Sequence, residues 1–395
     1  MRIIVTHVSK QYVNQLLIAL YRQNWLYRYY TSFTSNRWSL LFRHSNSISH
    51  QLKKRMYTGI PLELIKTFVP AFILERFGRS IYWTIKNSSR LFDYWVANAI
   101  KNETFDLIVS YENANLYTFR TAKDRGKITV LDLAQVHHNT IAGINTLHRL
   151  NTLANKETQY IDRRKEQALG YTDYVLTLSG LATDSLVKNG IARDRIYQVA
   201  LGIQADLFSP RQKTVNGTLN LLFVGAIMER KGIRVLLDAF AKLANHDIQL
   251  TVIGPPNDAQ EILENRMNGL TYIPYLHHEQ LVIHYQQAHI FLLPSLLDSW
   301  AQVVLEAMAC GTPVIITENT GAKDAVEQGG GFVIPAGNAD VLVEKIMYFY
   351  NKRSEITRLG ATARKVAEQY SWDHYHQQVI AALHDIAVRE NLSVN

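Results

Sequence analysis

Cysteine is almost absent from this 395-residue chain, which contains only Cys310. One thiol can form no disulfide within the chain and cannot build a cysteine-rich metal site. The sequence also has no Asp-x-Asp motif, no Walker phosphate loop and no Gly-x-Gly-x-x-Gly, which removes the signatures of phosphate-loop and dinucleotide-binding proteins. We therefore expect no cofactor and no metal. A single cysteine is consistent with a reducing cytoplasm.

Long apolar runs are missing as well. The longest in the first hundred residues is FVPAFIL, residues 68 to 74, far below the roughly 18 residues of a membrane-spanning helix. The opening MRIIVTHVSKQ indicates a short strand instead of a signal sequence. We expect a cytoplasmic protein, with peripheral contact at the cytoplasmic face of the inner membrane as the alternative.

Acidic residues are scarce in one part of the chain. Residues 1–100 hold fourteen Lys and Arg but three acids, a net charge of +11, whereas the remaining residues sum to −3. The same stretch is rich in aromatic residues, as in NWLYRYYTSF (24–33) and RSIYWTIK (79–86). This composition suits an anionic membrane surface, a nucleic-acid face or a merely solvated basic half. We favour the membrane and expect no nucleic-acid partner.

Length and pattern indicate two domains. A hydrophobic content of 47% is enough for two cores, and strand and helix patterns alternate twice along the chain. The polar segment SPRQKTVNGT (209–218) resembles an interdomain linker. We predict an α/β protein with two Rossmann-like, doubly wound parallel sheets facing a cleft. The expected units are residues 1–208, residues 209–371, and a final helix (372–395) that crosses back to the first domain.

The segment HIFLLPSLLDSWAQVVLEAMACGTPVIIT (289–317) is the most informative one. It predicts a buried strand at 290–293, a helix from about Ala301 that Gly311 ends, and a second strand from Pro313. The helix is apolar on nearly every face, which indicates burial, yet it carries Glu306. A buried carboxylate needs a partner, which is either a protein donor that ties a loop together or a ligand hydroxyl.

A second acid, Asp298, lies in the loop before this helix. Loops between a parallel strand and a helix bind ligands in open α/β sheets, and the free amides there attract phosphates. A ligand with a sugar near Asp298, a diphosphate at the helix start and a ribose near Glu306 fits this spacing. The loop and helix-start residues expected to bind it are Ser299, Trp300, Ala301, Gln302 and Val303.

Two cations occupy another strand–helix junction, in VGAIMERKGIRVLL (224–237). Gly225 ends the predicted strand, and Arg230 and Lys231 precede the next helix. On the same rim as the Asp298 loop, they could neutralise an anion without a metal. The alternative, two ordinary solvated charges, explains them poorly because cations at a helix start oppose its dipole.

These motifs together resemble a known family. VGAIMERKGIRVLLDAF, LLPSLLDSWAQVVLEAMACGTPVI and GGGFVIPAGNADVLVEKI resemble the C-terminal domain of family 4 retaining glycosyltransferases, which have the GT-B fold. The family's two acids, separated by seven residues, correspond to Asp298 and Glu306. The resemblance implies that Glu306 holds the ribose, Asp298 the donor sugar, and Arg230 with Lys231 the diphosphate.

The sequence also departs from the family pattern. The first acid is Asp298 where Glu is commoner, and Ser299 and Ala301 stand where glycines are frequent. Ala226 replaces an arginine that often follows the strand-end glycine, and the first loop, THVSKQY (6–12), lacks Gly-Gly. The first differences affect how the donor sugar is oriented, and the missing Gly-Gly affects the expected acceptor side of the site.

The N-terminal half contributes one candidate catalytic residue. In LDLAQVH (131–137), His137 follows a strand end, and the resemblance implies contact with the donor sugar; the alternatives are a structural histidine or a role for the adjacent His138. Asp132 is expected to orient His137 or to cap the strand end. His7 is a weaker candidate on the same positional grounds.

The expected function is a retaining transferase of EC class 2.4. It would move a sugar from a UDP- or GDP-type nucleotide-diphosphate sugar to a hydroxyl of a glycan or lipid-linked glycan in cell-envelope or exopolysaccharide synthesis. Retention without a protein nucleophile implies attack from the leaving-group face. The alternative is a catalytically inactive GT-B-like binding or scaffold protein at a membrane surface.

Overall fold

The computed structural model describes residues 1–9, 12–36, 56–78, 80–150, 155–259, 261 and 268–394. Much of the basic stretch noted in the sequence, including residues 37–55, Lys10 and Arg79, lies outside these ranges. Within them the chain forms two parallel sheets of seven and six strands, each flanked by helices.

The first sheet has the strand order β3-β2-β1-β4-β5-β6-β7, and every neighbouring pair is parallel. The interior strand β1 (IIVT) is buried along its whole length, as expected where helices cover both faces of a sheet. The strands are β1 Ile3–Thr6, β2 Leu26–Thr31, β3 Ile65–Thr67, β4 Leu107–Tyr111, β5 Ile128–Leu133, β6 Tyr174–Thr177 and β7 Ile196–Gln198.

The second sheet has the order β10-β9-β8-β11-β12-β13 and is also parallel throughout. Strands β11 and β12 are buried completely. The strands are β8 Leu219–Val224, β9 Ile248–Ile253, β10 Leu270–Ile273, β11 Ile290–Leu293, β12 Val314–Thr317 and β13 Gly331–Ile334.

Helices connect the strands as parallel crossovers require. In the N-terminal half they are Val13–Arg22, Val69–Arg76, Ile81–Thr84, Arg90–Ala99, Leu116–Asp124, His138–Leu147, Asn155–Leu169 and Gly180–Lys188. In the C-terminal half they are Ile233–Lys242, His278–Gln287, Gln302–Ala309, Lys323–Val326, Ala339–Asn351, Ser354–Ala367 and Trp372–Arg389. Four single-turn 3-10 helices (Leu62–Leu64, Ile100–Asn102, Arg193–Arg195, Glu229–Lys231) and one π-helical turn (Ile85–Ser89) complete the set in the described chain.

Two doubly wound parallel sheets were predicted, and this prediction is confirmed. The sequence patterns did not indicate β2, β3, β10 or β13; β2 has Arg28 inside it, and the other three are short with partly exposed residues. The edge strand β7 ends at Gln198. There the chain leaves the sheet edge, and Ile203 instead bridges to Ser371.

The last helix, Trp372–Arg389, lies against the N-terminal half of the chain. Its His376 Nε2 is 2.9 Å from Gln15 Oε1 on the helix Val13–Arg22. Just past the helix, Glu390 accepts a hydrogen bond of 2.6 Å from Tyr174 of β6, and Asp385 accepts one from Tyr197 of β7. These contacts tie the C-terminal end of the chain to helix and strand edges of the first sheet.

Among the residues that the structure describes, no helix has both the length and the apolar character needed to cross a membrane.

Candidate active site

Two loops from neighbouring strands of the second sheet form the centre of the site. One follows β8 and the other follows β11, and these strands pair in the sheet. Gly232 has φ +73°, and a Cβ there would lie 1.8 Å from the carbonyl oxygen of Pro294. The amide of Leu296 donates to the carbonyl of Arg230 at 2.9 Å. The two backbones therefore touch, and only glycine fits at position 232.

Lys231 and Asp298 meet across this contact as an ion pair. The two side chains are 18% and 12% exposed, so water screens them only in part. The amide of Asp298 donates to Asn319 at 2.9 Å, and its carbonyl accepts from Gly321 at 2.8 Å. Hydrogen bonds at both the amide and the carbonyl of Asp298 therefore fix the backbone that carries this carboxylate.

Arg230 belongs to the same rim. Its guanidinium donates to the carbonyl of Leu297 at 3.1 Å, one residue before Asp298. The structure thus brings together three of the predicted donor-site side chains, Arg230, Lys231 and Asp298. Gly225 lies on the neighbouring turn, where its amide donates to Ile253 at 2.9 Å and its carbonyl would meet a Cβ at Gly254 at 1.8 Å.

The helix Gln302–Ala309 starts directly beside this rim. Ala301 has φ +64°, in the left-handed region, which explains why glycine is frequent at this position in the family that the sequence resembles. Gln302 donates to the carbonyl of Gly202 at 2.9 Å, and Val303 is half-buried. The first amides of a helix have no carbonyl acceptor inside it, so they can serve a bound anion.

Trp300 contributes a buried donor. Its side chain is 5% exposed, its amide donates to Asp298 Oδ1 at 3.3 Å, and its ring lies 6.1 Å from that of Tyr370. Within the described chain its indole N–H has no acceptor. A buried donor without a partner costs about 1–3 kcal/mol, which an oxygen atom of a ligand would recover.

Glu306 is 6% exposed, and both carboxylate oxygens have protein partners. Oε1 lies 3.0 Å from His278 Nε2, and Oε2 accepts from the Tyr285 hydroxyl at 3.0 Å. The bond to Glu306 raises the pKa of His278. Burial first, and then the negative charge of Glu306, hold the pKa of Tyr285 well above its usual value. Each carboxylate oxygen has a second lone pair, so hydroxyl groups of a ligand can still donate to Glu306.

Sequence reasoning missed His278 and Tyr285. Both belong to the helix His278–Gln287, which precedes β11. Their spacing of seven residues places them two turns apart on one helix face, in HHEQLVIHYQQ. A search for polar side chains at helical spacing, next to the buried Glu306, could have found the pair.

The N-terminal half closes over one side of the site. Ser179 donates to the carbonyl of Ser299 at 3.0 Å, and the amide of Gly180 donates to Asp324 at 2.7 Å. Val136 and Leu297 share a small buried apolar cluster. The residues next to His137 and next to Asp298 therefore belong to one apolar cluster, together with Ala182.

The His137 ring makes other contacts. Its Nδ1 accepts from the amide of Asn139 at 3.2 Å and so caps the helix His138–Leu147, while the ring stacks on His138 at 4.1 Å. Burial, followed by the neighbouring His138 and Lys165, lowers the pKa of His137 to about 4. In the described part of the chain, no hydrogen bond or ion pair joins His137 to Lys231, Asp298 or Glu306.

One group of side chains has the spacing of metal ligands. Ligand atoms of His137, His138 and Glu166 lie within 4.8 Å of one another. The bond from Asn139 to Nδ1 of His137 keeps the proton on Nε2, the nitrogen that would face the ion, and the positive charge of Lys165 lies nearby. These residues therefore fit a stacked pair of rings beside Glu166 better than a cation site.

Asp132 and His7 have partners of their own. Asp132 accepts from the Tyr12 hydroxyl at 2.8 Å, and burial raises its pKa to about 7. Its partner is thus Tyr12, and the expectation that Asp132 orients His137 is not met. The His7 ring lies 4.1 Å from that of Tyr111, and its Nδ1 accepts from the amide of Ser9 at 3.0 Å.

Residues 208–366 match the model of a family described as "Glycosyl transferases group 1". The D-inositol 3-phosphate glycosyltransferase of Geodermatophilus obscurus is 29% identical over 272 residues, 60% of this chain and 60% of that protein. The capsular polysaccharide biosynthesis glycosyltransferase CapM of Staphylococcus aureus is 30% identical over 163 residues, 40% of this chain and 43% of that protein. The chain thus spans less than two thirds of the length of these relatives.

Solved structures match nearly the whole chain. Sucrose-phosphate synthase from Thermosynechococcus elongatus has a TM-score of 0.67 at 18% identity, covering 98% of this chain and 100% of that one. HepE from Anabaena, in complex with UDP, has a TM-score of 0.66 at 15% identity with the same coverage. At these identities the likeness concerns the fold. The chain has the GT-B fold, with two Rossmann-like domains, and its residues 208–366 are similar to the group 1 glycosyl transferases.

Proposed function

We propose that this protein is a family 4 retaining glycosyltransferase, which moves a sugar from a nucleoside diphosphate to a hydroxyl group. One observation carries the proposal: Arg230 and Lys231 converge with Asp298 beside the start of a helix that carries the buried Glu306. Two cations and free amides suit a diphosphate, and carboxylates on either side suit the hydroxyls of two sugars. The names of the relatives agree with this chemistry.

In this proposal the bound diphosphate replaces Asp298 as the ion-pair partner of Lys231. The ammonium group and Arg230 then face the phosphates, together with the main chain of Gly225 and the amides of residues 301–303. Asp298, released from its ion pair, accepts hydrogen bonds from the hydroxyls of the donor sugar. Glu306 accepts from the ribose, with His278 and Tyr285 holding its carboxylate in place. Ser299 and Trp300 line the same loop, and Trp300 offers its unpaired indole N–H.

The chemical step breaks the bond between the anomeric carbon and the β-phosphate oxygen. The acceptor hydroxyl forms the new bond on the same face of the sugar, and its proton goes to the departing phosphate oxygen. Negative charge grows on the diphosphate, so fixed cations and amides there stabilise the transition state more than the ground state. His137 contacts the donor sugar from the N-terminal side. No metal takes part.

For the substrates, we propose a UDP- or GDP-type donor and a glycan or lipid-linked glycan acceptor of the cell envelope or an exopolysaccharide. HepE was solved with UDP, and CapM is named for capsular polysaccharide biosynthesis. We further propose that the protein works in the cytoplasm, at an anionic membrane surface.

Binding of UDP, GDP and ADP by titration calorimetry tests the donor site. We expect Lys231→Ala to weaken nucleoside diphosphate binding by about 1.5–3 kcal/mol, the loss of a charge-assisted hydrogen bond. Lys242→Ala is the matched control, because Lys242 pairs with Asp340 at an exposed position (49% and 83%). Equal effects of the two variants would rule out the assignment.

Turnover is measured with the nucleotide sugar that binds, as release of the nucleoside diphosphate with and without glycan acceptors. Sugar transfer by the unmodified protein, together with its loss in a Glu306→Gln variant that remains folded, supports an enzyme. Tight donor binding with neither transfer nor hydrolysis would favour the alternative, an inactive binding or scaffold protein.

A further inference from the structure

Large apolar side chains are exposed in one part of the N-terminal half. Of the thirteen exposed in the described chain, seven fall within residues 62–94, and they are Leu62, Val69, Ile73, Phe77, Ile81, Leu91 and Tyr94. Isolated exposed apolar residues are normal in soluble proteins, whereas a contiguous group marks an interaction surface.

The helix Val69–Arg76 presents this surface. Ala71 is fully buried, while Val69 and Ile73, one turn apart, are 43% and 49% exposed. The Ser88 hydroxyl donates to the carbonyl of Ala71 at 2.6 Å, which fixes the inner side of the helix on the turn Ile85–Ser89. The apolar side therefore faces outward, the reverse of an ordinary surface helix.

Phe77 and Ile81 extend the same surface. Phe77 comes directly after the helix and lies one turn beyond Ile73, because its amide donates to the Ile73 carbonyl at 3.2 Å. Its side chain is 72% exposed. A Cβ at Gly78 would lie 2.2 Å from the Thr84 hydroxyl. The end of the helix at Gly78 thus lies against the short helix Ile81–Thr84, whose Ile81 is 61% exposed. We call Val69, Ile73, Phe77 and Ile81 the apolar surface.

Cations border the apolar surface. Lys66, Arg76 and Lys86 are exposed, and Lys86 lies 5.5 Å from the ring of Tyr82. The acids in this region of the described chain are Glu63 and Glu75. The remaining acid of residues 1–100, Asp93, is buried and pairs with Arg164. The three exposed cations thus outnumber the two acids beside the surface. In the sequence, residues 1–100 carry a net charge of +11.

We infer that the apolar surface docks onto an anionic lipid bilayer, with Ile73, Phe77 and Ile81 below the headgroups and Lys66, Arg76 and Lys86 against the lipid phosphates. Outward aliphatic and aromatic side chains with lysine and arginine at their edge are the composition of interfacial segments, and basic residues near the surface add electrostatic attraction. The inference rests on the membrane location in the proposed function and gives it a defined surface.

Co-sedimentation of the full chain with lipid vesicles tests the inference without any nucleotide sugar. We expect binding to vesicles that mix phosphatidylcholine and phosphatidylglycerol, and much weaker binding to phosphatidylcholine alone. The double variant Ile73→Ser with Phe77→Ser should lower the vesicle partition coefficient by about a hundredfold, since a buried apolar side chain contributes roughly tenfold. Arg76→Gln with Lys86→Gln should remove the preference for the anionic lipid.

The matched control is Ile283→Ser with Val388→Ser, because these side chains are 51% and 56% exposed outside the surface. The control should bind vesicles as the unmodified chain does. An unmodified chain that ignores anionic vesicles, or a control that loses binding equally, would overturn the inference. The unfolding temperature, measured on the same variants, shows that they are folded. Failure to transfer sugar leaves the vesicle result unaffected, so the two proposals fail separately.

Discussion

The ammonium group of Lys231 pairs with the carboxylate of Asp298, although the residues are 67 positions apart in the chain. In the proposed function these two groups bind different parts of the donor, the diphosphate and the sugar. Without a donor, each of the two groups is therefore engaged by the other and must be released before it can bind its part of the donor. Separating the pair should thus affect binding and turnover in opposite directions.

Asp298→Asn releases Lys231 from its competing partner. We expect this variant to bind UDP or GDP as tightly as the unmodified protein or several-fold more tightly, since a partly exposed pair contributes up to about 1 kcal/mol. Turnover should fall by about a hundredfold or more, because the sugar loses an acceptor that the reaction needs. Calorimetry and steady-state kinetics measure the two effects, with Asp340→Asn as the control. Weaker nucleotide binding would contradict the proposed competition.

His278 should contribute stability that depends on pH. Its bond to Glu306 raises its pKa above the ordinary value of 6.5, so the folded protein favours the protonated ring. This contribution is fully present below pH 6.5 and disappears as the pH rises through the raised value. His278→Gln keeps a hydrogen-bond donor without the charge. The difference in unfolding temperature between the two proteins should therefore be largest in acid and vanish at alkaline pH.

His284, on the same helix, is the control for this titration. Burial lowers its pKa, so its contribution is present above the ordinary value and is lost as the pH falls. His284→Gln should consequently show the opposite trend. The same trend in both variants would mean that the bond to Glu306 does not govern His278.

Asp132 should make the protein less stable as the pH rises. Burial raises its pKa from 3.8 to about 7, so the folded protein favours the neutral acid. Below pH 3.8, the unfolded value, Asp132 is neutral in both the folded and the unfolded protein. The contribution is complete below pH 3.8 and is lost as the pH rises through about 7. Asp132→Asn should raise the unfolding temperature above pH 7, while the exposed Asp124→Asn should not. A lower temperature in Asp132→Asn at that pH would disprove this account.

His137 can be tested separately as a cap and as a sugar contact. Asparagine is among the best helix caps, whereas alanine loses about 1 kcal/mol at such a position. We expect His137→Ala to be destabilised and His137→Asn to unfold at the normal temperature. Turnover of His137→Asn should nevertheless fall about tenfold, the size of one hydrogen bond. Full activity in the asparagine variant would leave His137 with the capping role alone.

The second sheet and most of its site could be predicted because their signals are local. The buried strand, the loop with Asp298 and the apolar helix with Glu306 are contiguous in 289–317, and the alternation of strands and helices fixes that β8 and β11 end at one edge.

Other features needed the packing of distant elements. The burial of Glu306 follows from its helix, but its partners His278 and Tyr285 come from another helix. Position at a strand end predicted His137 near the cleft, whereas the contacts of its ring depend on Asn139, His138 and Lys165. Asp132 found Tyr12, 120 positions away in the chain.

The amino-acid sequence by itself determined the two parallel sheets, the sheet edge that carries Arg230, Lys231 and Asp298, and the presence of a buried acid, because hydrophobic periodicity and turn residues act over a few positions. Tertiary structure alone decided that Lys231 closes on Asp298, that His137 caps a helix, and that Val69 and Ile73 face outward. Periodicity reports which side chains share a face of an element, and only packing against other elements decides what that face meets.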